Sequence, residues 1–93
     1  MATASARHIL VKTQEECESL KQKIEAGEAT FEELAKKHSE CPSGSAGGNL
    51  GSFGKGQMVA EFDNIVFSKE LDVVHGPIKT QFGYHLILIT GRE

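Results

Sequence analysis

No block of lysines or arginines appears in this sequence. The ten basic residues are scattered among thirteen acidic ones, for a formal charge of -3. That balance argues against a protein built to grip nucleic acid or an anionic membrane surface. No apolar run approaches the length needed to span a bilayer. The N-terminus, MATASARHILVK, lacks the basic start and long apolar stretch of a secretory leader, so a cytoplasmic location is expected. Cysteine is scarce: Cys17 and Cys41 are far apart and neither belongs to a C-x-x-C pair. They make no disulfide framework and are expected as free thiols. With 93 residues and an ordinary globular composition, 39% hydrophobic and 25% charged, the chain has room for a single domain over residues 1–93.

Periodicity supplies the elements. RHILVK, from Arg7 to Lys12, is short and branched and predicts a strand, with His8 and Leu10 on one face and Ile9 and Val11 on the other. Thr13 to Glu16 and Thr30 to Glu33 both read as capping boxes. The first opens a helix that puts Cys17, Leu20 and Ile24 on one side and stops at Gly27. The second opens a helix with Phe31, Leu34, Ala35 and His38 on one face, which ends at Ser39 or Glu40 ahead of Pro42. LGSFG is a weak strand. A helical stripe of Met58, Phe62, Ile65 and Val66 follows it. HGPIKT predicts an edge strand, because Pro77 cannot donate to a ladder. YHLILIT, Tyr84 to Thr90, is apolar on both sides and predicts a central strand. The order is β-α-α-β-α-β-β, and the two strongest strands, at opposite ends of the sequence, are best buried side by side.

CPSGSAGGNLGSFGKGQM, residues Cys41 to Met58, concentrates six of the ten glycines. A phosphate cradle is the first possibility, and it fails. Gly54-Lys55 is followed by Gly56 where a P-loop needs serine or threonine, and Asn49 stands where its first glycine belongs. The dinucleotide fingerprint G-x-G-x-x-G starts at Gly54 but meets Val59 at its last position.

Four histidines remain to be placed. His38, near a helix end, reads as a dipole partner, and His75, at a strand start, as a solvated residue. His8 and His85 lie within the two apolar strands, where an imidazole needs a hydrogen-bonding partner. If those strands pair, the two rings meet on one face near the loop that carries Cys41. Three kinds of site use such a set: a zinc site, for which no fourth ligand is evident; a thiol hydrolase with Cys41 as nucleophile; and a polar network that orients a substrate without attacking it. Met58 and Phe62, four apart on one helix face, with Leu50 ahead of them, add an apolar pocket for a small ring. They favour the third kind.

RHILVK, CPSGSAGGNLGSFGKGQMVAEFDNIVF and GPIKTQFGYHLILI together resemble the parvulin family of peptidyl-prolyl cis/trans isomerases, in the right order and over nearly the whole chain. The small single-domain bacterial members are the most similar. The resemblance implies an α+β fold, a four-stranded antiparallel sheet wrapped by helices, with the first and last strands adjacent at its centre. It implies a polar catalytic set of His8, Cys41, Thr80 and His85. It places a proline-ring pocket at Leu50, Met58 and Phe62, with Gln57 beside it. Phe82 stands where the phosphate-directed branch carries serine. The basic loop that selects phosphoserine or phosphothreonine before proline is missing, since HILVK runs straight into the acidic TQEECESL. The expected partners are therefore proline-containing peptides or unfolded segments, unphosphorylated, with an apolar or neutral residue before proline. The expected protein is a monomer that uses no cofactor and no metal and binds neither nucleic acid nor membrane. A non-catalytic foldase or chaperone module would use the same groove.

Overall fold

The computed structural model describes residues 3–40, 42–58 and 60–92. Strand β1 (Thr3–Val11) leads through Lys12 and Thr13 into helix α1 (Gln14–Glu25). Thr13 accepts a hydrogen bond from the Glu16 N–H. The other half of that expected box does not form: the Glu16 carboxylate lies 3.8 Å from His38 Nδ1 instead. Past the helix, Gly27 takes a φ of +76°, and its N–H and that of Glu28 satisfy the last-turn carbonyls of Ile24 and Lys23. Helix α2 (Phe31–His38) opens on the full capping box of Thr30 and Glu33. Beyond it, Leu10 N–H donates to Ser39 Oγ and Glu40 N–H donates to Leu10 O, so the segment after α2 lies along β1.

A short 3-10 turn (Pro42–Ala46) then leads to β2 (Asn49–Gly54), α3 (Ala60–Val66), β3 (Val74–Thr80) and β4 (Gly83–Arg92). The four strands form one antiparallel sheet in the order β2-β1-β4-β3. The expected architecture is present: β1 and β4 are central, and the proline-bearing β3 is an edge. β1 extends to Thr3, well ahead of Arg7, because Ala4 and Ala6 are buried between β2 and β4 although small residues carry little strand signal.

Both sheet faces are covered. On one, Ile9, Val11 and Leu86 pack with Cys17 and Leu20 of α1 and Phe31, Leu34 and Ala35 of α2. On the other, Ala4, Ala6, Ile87 and Ile89 pack with Phe53 of β2 and Phe62 and Val66 of α3. Alternation along β1 and β4 feeds the two cores in turn. The site is built into the second face. Among the described residues, no helix is long and apolar enough to cross a membrane.

Candidate active site

The register of the central strands brings the two histidines together. Leu10 pairs with His85 and His8 with Ile87, so His8 and His85 are diagonal neighbours on one face. Their Nδ1 atoms are 3.4 Å apart, and the rings stack with centroids 5.5 Å apart at 14°. Both residues are buried, as is Thr80. Thr80 Oγ1 lies 2.7 Å from His85 Nε2 and also accepts the Phe82 N–H. The result is a line of hydrogen bonds from Thr80 through His85 to His8.

Burial is the main force on both imidazoles. It lowers the His8 pKa to about 4, helped by the neighbouring His85. It lowers that of His85 too, against a smaller opposing pull from the Glu61 carboxylate. Both rings are therefore neutral at pH 7, so one Nδ1 donates and the other accepts. The Thr80 hydroxyl fits either direction, donating to His85 Nε2 or accepting from it. The pair can thus present fixed dipoles without a net charge.

Phe62 joins the polar line to the apolar wall. Its ring meets His85 at a centroid distance of 4.9 Å and 87°, and His8 at 5.3 Å and 79°. Leu50 and Met58, partly buried, pack on the same cluster. The structure thus brings His8, His85, Thr80 and Phe62 into contact, with Leu50 and Met58 on the apolar cluster to which Phe62 belongs. Phe82 is next to them, 63% exposed, with its backbone tied to Thr80. Gln57, next to Met58 in sequence, makes a local bond. Its Oε1 accepts the Gly54 N–H at 2.7 Å, so the side chain folds onto the turn after β2. Cys41 lies outside the described residues.

Two contributors escaped the sequence reading. Ile78 packs on the same cluster. Its spacing of two from Thr80 on β3 is a signal that could have placed it there. Gly48 matters because its carbonyl accepts the His8 N–H at 2.9 Å. Its φ is +83°, and a Cβ there would stand 2.4 Å from His8 O. Only a glycine can pass so close in that conformation, but nothing in the sequence singles it out among its neighbours. Among the described residues, no group of three His, Cys, Asp or Glu side chains could hold a metal ion.

Known proteins share this fold. The family description "Rotamase: PPIC-type PPIASE domain" matches residues 5–91. The foldase protein PrsA of Halalkalibacterium halodurans is 46% identical over 89 residues, which are 95% of this chain and 26% of that protein. The chain thus spans about a quarter of that relative's length. The crystal structure of the peptidylprolyl isomerase PrsA from Bacillus anthracis matches 99% of this chain and 42% of its own, with a TM-score of 0.94 and 36% identity. NmPin, the parvulin of Nitrosopumilus maritimus, matches over 98% of both chains, with a TM-score of 0.85 and 38% identity. From its sequence and its fold alike, this chain belongs to the PPIC-type peptidyl-prolyl isomerases, the parvulin family.

Proposed function

We propose that this domain catalyses rotation about Xaa-Pro bonds in unphosphorylated, unfolded segments, with an apolar or neutral residue before proline, by a non-covalent mechanism. The observation that carries the proposal is the neutral hydrogen-bonded line Thr80–His85–His8 with the Phe62 ring edge-on to both imidazoles, in an apolar cluster that Met58 and Leu50 also join.

Rotation about a prolyl bond breaks amide resonance, and the barrier is ~20 kcal/mol. No covalent bond has to form. An acceleration of roughly 10⁵-fold needs only about 7 kcal/mol of preferential binding to the twisted state. A twisted amide is less dipolar than a planar one, so an apolar wall favours it. In this reading Phe62, Met58 and Leu50 hold the proline ring while the preceding carbonyl swings. His8, His85 and Thr80 form the fixed polar side of the groove. Neutral rings suit that role, because they orient a carbonyl without fixing a charge on it. The exposed Phe82 ring is available to the residue before proline. Gln57, next to Met58, is the candidate for contact with the substrate backbone.

The preference for unphosphorylated targets is supported by the acidic segment TQEECESL that follows β1 and by the charge felt at the histidines. The carboxylate whose field reaches His85 is that of Glu61, which opposes a phosphate.

Exchange spectroscopy on paired peptides tests the reading. Catalytic amounts of the domain should broaden the cis and trans lines of a Leu-Pro peptide. The phospho-Thr-Pro counterpart should respond at least about tenfold less, the cost of roughly 1.4 kcal/mol of charge repulsion. Binding without faster exchange would make the domain a peptide holder. Faster turnover of the phosphopeptide would overturn the specificity. Cys41→Asp should retain activity, and its complete loss would point to a nucleophilic thiol.

A further inference from the structure

We propose that Arg7 is a positioning residue for the histidine pair, acting from the opposite face of the sheet through the Gly47–Gly48 turn. The proposal rests on the reading above, in which His8 belongs to the catalytic groove.

Arg7 and His8 are consecutive in β1, so their side chains leave opposite faces. The Arg7 side chain lies on the helix-covered face, 24% exposed, with Nη2 3.8 Å from Glu32 Oε1 of α2. Its Nη1 donates to Gly47 O at 3.2 Å. Gly47 occupies a slot between these two groups. A Cβ there would stand 3.0 Å from Arg7 Nη1 and 3.1 Å from Glu32 Cγ.

The next residue meets the backbone of β1 itself, still beside Ala35 of α2. Gly48 O accepts the His8 N–H, and Gly48 touches the His8 carbonyl. At this point the β1–β2 ladder is irregular. Its register shifts between Ser5 and Arg7, and Asn49 is opposite Arg7. The backbone bond from the His8 N–H holds the glycine turn at His8, and the guanidinium adds a tie from its other end, joining Gly47 to β1 and α2.

Arginine suits this post. Its planar fork reaches a carbonyl and a carboxylate at once, whereas a lysine ammonium offers a single point of charge. A bond from a cation to a carbonyl is also stronger than a neutral one. From the far face Arg7 cannot touch a substrate in the groove. Its effect on rate must pass through Gly47, Gly48 and the His8 backbone to the 3.4 Å contact between the rings. Small displacements there matter, because an active site tolerates little misplacement of its groups.

The test uses Arg7→Met, which keeps the aliphatic stem, Arg7→Lys, which keeps a charge, and Glu32→Gln as a control. Long-range ¹H–¹⁵N spectra of the imidazoles are recorded beside kcat/KM on a Leu-Pro peptide, well below each variant's Tm. Arg7→Met should move the ring signals of His8 and His85 while leaving those of His38 and His75 in place. It should also lower kcat/KM roughly 5- to 20-fold. Arg7→Lys should fall between it and the parent, and Glu32→Gln should stay within about twofold, as for a surface pair. Unmoved His8 and His85 signals in Arg7→Met would overturn the proposal, as would a kcat/KM within twofold of the parent. If Arg7→Met does not fold, the same two readings on Arg7→Lys decide. The ring signals are read without substrate, so they stand apart from whether the domain turns over any peptide.

Discussion

Two imidazoles held away from water give the fold a dependence on pH. In the unfolded chain a histidine takes up a proton near pH 6.5, but in the fold His8 does so only near 4 and His85 is also lowered. Above pH 6.5 both states carry neutral rings and stability does not change on their account. Below it the unfolded chain binds protons that the native state refuses, so stability falls as pH falls. For His8 the loss is complete only once pH has dropped past about 4. The slope approaches about 1.4 kcal/mol per pH unit per histidine. Urea midpoints at pH 7 and pH 5.2 should therefore differ clearly, with the lower pH less stable. Equal midpoints would mean that the buried rings accept protons in place. Cys17 shows the same force on a thiol: burial raises its pKa to about 11, and it behaves as a small apolar core residue.

At the scale of elements, the two crossings of β1 differ in kind. Pairing with β4 is long and regular after Ala6, whereas the approach of the glycine turn depends on one residue without a side chain. Gly48→Ala should cost more than about 2 kcal/mol, from a left-handed φ and a backbone clash together. That corresponds to a fall in Tm of ~10 °C or more. Gly51→Ala has a similar φ of +73° but no neighbour within 4 Å, and should cost only about 1 kcal/mol. Thermal melts of the two variants separate crowding from conformation, and equal losses would refute the tight crossing. This contrast also shows what the sequence could express. Capped helices and branched strands declare themselves locally, so α1, α2, the end of β1, and β4 were legible. The meeting of His8 with His85 was legible only on condition that their strands pair, and the resemblance to the parvulins supplied that adjacency. The start of β1 was not legible, since Thr3 to Ala6 are strand only by virtue of neighbours on both sides. Neither was the 3-10 turn at Pro42–Ala46, which reads as a plain loop. The edge-on contact of Phe62 with both rings, and the bond from the Gly54 N–H to Gln57 Oε1, depend on side-chain directions that spacing does not carry.

Taken as one molecule, the protein hangs two cores on the same pair of strands. Ile9 of β1 and Leu86 of β4 serve the face under α1 and α2, while Ala6 and Ile89 serve the face with the histidines. Neither core can melt while the other keeps its strands. Ile9→Val and Ile89→Val, one on each face, should each cost about 1 kcal/mol. Each should shift a single transition in which far-UV dichroism and the fluorescence of Tyr84 change together. Two separated transitions would show that the faces unfold independently.

The outer ends of β1 and β4 carry one more consequence. Ala4 pairs with Arg92 across the sheet, so the first and last strands meet at one corner with their outer ends side by side. A fold whose two ends share one doorway is suited to transplantation: it could be set whole into a surface loop of another protein without unthreading a strand.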